Sequence, residues 1–158
     1  MRLLLSFCLV LLTSVTAAGS TDLVPEQVAE FLATRQLLVT VAFAPGSSIL
    51  TPEARTEIDR NLDRLRHIDG EKYVLRIEGF TSPEGGVEQN VNLAMERARQ
   101  VELYLLKQEG LTTERTLTGV GVDTSSRLSP QEQRRVEIAR YDNILQFDKL
   151  PREKLILH

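Results

Sequence analysis

The sequence predicts an α/β fold of the two-layer sandwich type, with elements in the order βαβαββ behind a short N-terminal helix and ahead of a C-terminal extension. Three observations carry this. Runs rich in apolar and β-branched residues alternate with two stretches of helical periodicity. After the second of these, two strand-like runs follow one another with a polar loop between them. Past Cys8 the chain holds no Cys, so no disulfide framework can form and an ordinary hydrophobic core must supply the stability.

Residues 1–19 read as a secretory signal peptide: Arg2 precedes an apolar run from Leu3 to Val15, and the small residues Ala17, Ala18 and Gly19 follow. The run is too short for a membrane span. A lipid-anchored leader would place a Cys at the end of the run, whereas Cys8 lies within it. About 140 residues remain, enough for one domain. Residues 20–36 form an N-terminal segment, 37–141 the domain and 142–158 a C-terminal extension.

In the N-terminal segment, "VPEQVAEFLATRQ" has helical spacing at Val28, Phe31 and Leu32, and Pro25 suits its opening. "LLVTVAF", Leu37 to Phe43, has the density of a buried strand and ends at the loop "APGSS". Thr51 offers a capping hydroxyl and Pro52 fits the first helical position. Ala54, Ile58, Leu62, Leu65 and Ile68 then recur at helical steps up to Gly70. Glu57 with Arg60 and Asp63 with Arg66 sit one turn apart, as on a solvated helix face.

"YVLRIEGF", Tyr73 to Phe80, reads as a strand with one face more buried than the other. A loop rich in Gly and Pro follows, and then a helix from Val87 to about Glu109. That helix aligns Val87, Val91, Ala94, Ala98, Val101 and Leu105 and stops at Gly110. "TERTLTGVGV" and "RRVEIARY" supply the last two strands, with "DTSSRLSPQEQ" as the loop between. Helices covering one face, joined by right-handed crossovers, would make neighbouring strands parallel. Gly119 and Gly121 form a fragment of a dinucleotide fingerprint, but no third Gly or helix follows, so strand packing accounts for them better.

Gly79 and Thr81 at a strand end lead through a Gly-containing loop to Asn90, Leu93, Ala94, Arg97, Ala98, Val101 and Leu105, and later to "RRVEI" at Arg134 to Ile138. This combination resembles the OmpA-like domain, the peptidoglycan-binding module of bacterial envelopes, over roughly Val39 to Tyr141. The resemblance implies that Arg97 takes the carboxylate of diaminopimelate in the stem peptide, a task for which a planar guanidinium fork is suited. It also implies an Asp directly after Thr81 to take the ammonium. Ser82 stands there instead, and a hydroxyl cannot neutralise an ammonium. Glu84, two residues on, has the carboxylate to replace it. The candidate ligand-binding residues are therefore Thr81, Ser82, Glu84, Asn90, Arg97 and Arg134.

Each of these has a plainer reading. Arg97 would serve as a surface ion-pair partner, Asn90 would brace the "TSPEGG" turn, and Arg134 and Arg135 would protect a sheet edge.

The net charge of −3, with 19 basic residues among 22 acidic ones, carries no footprint for nucleic acid or acidic lipid. For hydrolysis, the chain past the leader offers no Cys nucleophile and only His67 and His158, and nothing assembles around Glu84 and Glu88. The expectation is a non-enzymatic module without metal or cofactor, exported to the periplasm, peripheral to the outer membrane at most, and holding peptidoglycan. The alternative is a degenerate OmpA-like domain that serves envelope assembly through another envelope protein or a second copy. The extension carries Ile144, Leu145, Phe147, Leu150, Leu155, Ile156 and Leu157, and Pro151 divides it into two short elements. So many apolar side chains call for burial.

Overall fold

The computed structural model of the chain describes residues 25–108, 111, 116–121 and 127–144. Helix α1 spans Pro25–Ala33, strand β1 Gln36–Ala42, helix α2 Pro52–Arg66 and strand β2 Tyr73–Gly79. Helix α3 spans Val87–Leu106, strand β3 Thr116–Val120, the single turn α4 Pro130–Gln133 and strand β4 Arg135–Asp142. The signal segment, Gly110 and the extension from Leu145 onward lie outside the described residues.

Local chemistry explains most boundaries. The Thr51 hydroxyl accepts a hydrogen bond from the Ala54 N–H at 3.2 Å, and Pro52 opens α2 where its missing N–H costs nothing. The helix buries Ala54, Ile58, Leu62 and Leu65. It ends before Gly70, because the backbone N–H of His67 turns back to the carbonyls of Asp63 and Leu65. Arg60 meets Glu57 at 3.2 Å and Arg66 meets Asp63 at 3.6 Å on the outer face, pairs worth about 0–1 kcal/mol.

The four strands form one sheet in the order β1-β4-β2-β3. Only β2 and β3 are parallel neighbours; β4 inserts antiparallel between β1 and β2. This corrects the expectation of parallel neighbours throughout. β1 and β2 do run in the same direction, but the last strand of the chain fills the gap between them. It also removes the edge reading of Arg135, since β4 is a central strand.

α2 and α3 cover one face, where Val39, Val41, Leu75, Ile77, Val136 and Ile138 pack against Ile58, Leu65, Ala98, Val101 and Leu105. Each such Val, Leu or Ile side chain contributes roughly 1.5–3 kcal/mol. α3 departs from its predicted stripe. Val91 is exposed and Val87 is 83% exposed, while Arg97 joins Ala94, Ala98, Val101 and Leu105 in the buried row. Toward the start of α3 the apolar periodicity is therefore left uncovered among the described residues. Its last helical residue is Leu106, short of the expected Glu109.

α2 and α3 share one face as expected, and the short entry helix α1 lies on the other. Phe31 is fully buried and stacks on Tyr141 of β4 with ring centroids 4.6 Å apart, while Leu32 is exposed. α4 falls within the stretch expected to be loop. Ser129 and Glu132 close a reciprocal capping box around it.

Candidate functional site

Gly79 ends β2 under α3, and a Cβ there would lie 1.9 Å from the carbonyl oxygen of Ala94. The absent side chain lets α3 seat directly on the strand end, which places Arg97, one turn further along, beneath the loops at this end of the sheet. Two of those loops follow β1 and β2. Gly46, at φ +62, lets the first reverse, and Gly85, at φ +98, does the same for the second. Between them the start of β4 ties both strand ends: Phe43 N–H donates to the Arg134 carbonyl at 2.9 Å, and Phe80 N–H to the Arg135 carbonyl at 2.8 Å.

Arg97 is 0% exposed. Its Nε donates to the Ser47 carbonyl at 2.9 Å, Nη1 to the Phe80 carbonyl at 3.0 Å and Nη2 to the Ala44 carbonyl at 3.0 Å. Its guanidinium carbon stands 5.5 Å from the centre of the Phe43 ring. Burial, and next the charge of Arg134, holds the guanidinium below its ordinary pKa. No carboxylate among the described residues pairs with it. The surface ion-pair reading of Arg97 is therefore wrong for this fold, because the side chain points inward and binds backbone.

A cleft of about 380 Å³ opens over this arrangement, lined from the β1–α2 loop by Pro45 and Gly46 and from the β2–α3 loop by Thr81, Ser82, Glu84 and Gly85. α3 contributes Gln89, Asn90, Leu93 and Arg97, and Arg134 closes the remaining side. The N-terminal end of α3 meets the cleft here, adding partial positive charge. All six residues singled out from sequence thus reach one cavity. Nothing in the sequence marks Pro45, Gly46 or Gln89; the one signal is the Gly-containing "APGSS" loop after the first strand.

The individual placements differ in kind. Ser82 is 8% exposed, nearly enclosed behind the loop, whereas Glu84 is exposed. The Ser82 hydroxyl, the backbone and the Arg134 charge hold the Glu84 carboxyl below its usual range, so it is ionised at neutral pH. Arg134 is half-buried, and its Nε has no hydrogen-bond partner. Asn90 is half-buried, with its Oδ1 3.6 Å from where a Cβ on Gly85 would stand. Of the two glycines assigned from sequence to strand packing, Gly119 lies in β3, and a Cβ on Gly121 would fall 2.1 Å from the Phe80 ring. Packing accounts for Gly121. Among the described residues no three His, Cys, Asp or Glu side chains converge to hold a metal, and no helix is long and apolar enough to cross a membrane.

A four-stranded open α/β sheet with a two-arginine cleft at one end defines the class. The chain belongs to the OmpA family, whose model matches residues 42–141. No curated protein matches it. Among solved structures it is similar to the peptidoglycan-associated lipoprotein from Burkholderia pseudomallei, with a TM-score of 0.54 and 18% identity over 65% of this chain and 89% of that one. An outer membrane protein from Borrelia burgdorferi B31 aligns with a TM-score of 0.50 and 26% identity over 63% and 81% of the two chains. The cell wall anchor of the T6SS from Pseudomonas aeruginosa aligns with a TM-score of 0.50 and 23% identity, covering 65% and 79%.

Proposed function

We propose that this chain is an exported, non-catalytic module that holds peptidoglycan non-covalently in the periplasm, its cleft taking a carboxylate of the diaminopimelate-containing stem peptide. One observation carries the reading. Arg97 and Arg134 reach a single cleft, and neither forms an ion pair with a carboxylate among the described residues. Buried or half-buried cations left without a counter-charge are costly, and an incoming carboxylate relieves that cost with bidentate geometry. Membership of the OmpA family supports the choice of ligand, as do neighbours named for association with peptidoglycan or anchoring to the cell wall.

The test is co-sedimentation of the protein with purified diaminopimelate-type sacculi, with free meso-diaminopimelate as competitor. Retention that the competitor abolishes is the expected result. Absence of retention, or retention indifferent to the competitor, removes the reading.

The enclosed Ser82, standing where the family places an Asp, favours a second reading: a domain that has lost the ligand and serves envelope assembly through a protein partner. In that case Ser82→Asp creates retention on sacculi where the parent shows none.

A further inference from the structure

We propose that the outer edge of β1 takes an extended segment of another polypeptide as an added strand, with a Lys or Arg of that segment laid in the groove beside it. The site is separate from the cleft. Arg134 lines the cleft, whereas Arg135, the next residue, lines the groove, and successive residues of an extended chain point to opposite faces.

β1 is an edge strand, paired on one side with β4. Its register sets Val39 against Ile138 and Val41 against Val136, and just beyond it the Phe43 N–H donates to the Arg134 carbonyl. Bonded residues alternate along an antiparallel strand, so Val39 and Val41 turn their main-chain groups toward β4, and Thr40 and Ala42 turn theirs outward. Both Thr40 and Ala42 are exposed. Sheet edges are commonly blunted by charge or proline, and "QLLVTVA" has neither. The irregularity between Leu37 and Val39 confines a straight pairing surface to residues 39–42.

A groove of about 700 Å³ opens against these same two residues. It is lined by Thr40 and Ala42 of β1, by Leu128 and Glu132 from the stretch around α4, and by Arg135 and Glu137 of β4. Arg135 is committed, donating to Glu137 at 2.6 Å and to the Glu132 carbonyl at 3.2 Å, and Arg35 takes the other oxygen of Glu137. Glu132 is not. It is exposed, and it uses only Oε2 to accept from the Ser129 N–H and hydroxyl, which leaves Oε1 without a hydrogen bond.

The shape and charge of the groove select its occupant. A side chain that fills it needs an apolar stem to lie on Ala42, Leu128 and the Thr40 methyl, and a cation at its tip for Glu132, which describes Lys or Arg. The outward main-chain groups of Thr40 and Ala42 then hold the segment itself, as in other strand additions to a sheet edge. A second copy of this chain is poorly matched, because its β1 brings no cation and its small Thr40 and Ala42 would leave the groove unfilled.

The experiment titrates the isotope-labelled full chain by nuclear magnetic resonance with the blocked peptide Thr-Val-Lys-Val-Thr. Two further probes are the same peptide with Glu in place of Lys and the same peptide with its backbone nitrogens methylated. The first peptide is expected to shift the amide signals of Thr40 and Ala42 saturably. Exchanging Lys for Glu weakens binding about fivefold or more, and methylation abolishes it because the added strand loses its donors. In Glu132→Gln, where Gln still serves the capping box, the Lys and Glu peptides bind alike. The proposal is overturned if the first peptide leaves the Thr40 and Ala42 amides unmoved, or if methylation or the Glu exchange changes nothing. Discrimination that survives in Glu132→Gln overturns it as well. So does broadening of those two amides with protein concentration alone, accompanied by a dimer in light scattering, since a second copy then occupies the edge.

Discussion

At the scale of single residues, the cleft is built by what Arg97 and Gly79 do to backbone. Arg97 replaces solvent for three carbonyls at once, which a shorter or unbranched side chain cannot do. Arg97→Ala should lower unfolding stability by about 3–5 kcal/mol in denaturant titration, the cost of stranding several buried acceptors less some relaxation. Arg97→Lys should recover part of this, because one ammonium cannot span all three carbonyls. Gly79→Ala drives a methyl into the Ala94 carbonyl and should cost about 1–3 kcal/mol, with a parallel loss of ligand affinity as α3 lifts from the strand end. Arg97 and Gly79 stand out in the sequence as parts of a motif, but their bonding does not. The acceptors are main-chain oxygens, and no residue type announces a carbonyl that points inward.

At the scale of elements, the face of the sheet opposite α2 and α3 carries a charge network. Glu78 and Glu137 lie directly opposite one another on β2 and β4, and both are buried. Such a like-charge pair is destabilising by itself. Arg35, just after α1, bridges the two carboxylates, Arg135 meets Glu137 at 2.6 Å and Arg76 meets Glu78 at 3.3 Å. The Tyr141 hydroxyl also donates to Glu78, at 2.6 Å. Burial, and then this bond to a carboxylate, pushes the Tyr141 pKa up to about 12.

In the unfolded chain Tyr141 releases its proton near its ordinary value of 10.0, while the folded chain retains it to about 12. The folded state therefore holds more proton between these values, and stability falls as pH rises through them. Thermal melts from pH 9 to about 12 should show this decline, and Tyr141→Phe should flatten it. Tyr141→Phe should also lower stability at neutral pH by about 1–2 kcal/mol, since Glu78 loses a donor.

Legibility follows from range at this scale. The cap and stripe of α2 depend on neighbours a few residues away, so Thr51, Pro52 and Ile58 were readable. The capping box of α4 is equally local, but four residues are too few to show periodicity. The pairing of Glu78 with Glu137 depends on β4 entering between β1 and β2, a long-range event that no local spacing encodes.

For the whole molecule, the insertion of β4 brings the distant parts of the site together. It carries Arg134 from late in the chain to the gap between the ends of β1 and β2, where their loops already face each other. The same strand delivers the chain, after Asp142, to the opposite end of the sheet, where Asn143 N–H donates to the Lys72 carbonyl at 2.8 Å. The extension therefore begins far from the cleft. Of its seven apolar residues only Ile144 falls within the described residues, and it is 42% exposed. The remaining six lie outside the described residues, and apolar surface of that size calls for a cover. Deleting residues 151–158 removes Leu155, Ile156 and Leu157, and should lower the melting temperature of the monomer while leaving binding to sacculi intact. Light scattering on the same samples separates the alternatives. A truncated protein that melts like the parent but loses a dimer or a co-purifying partner would show that the extension serves association instead of self-packing.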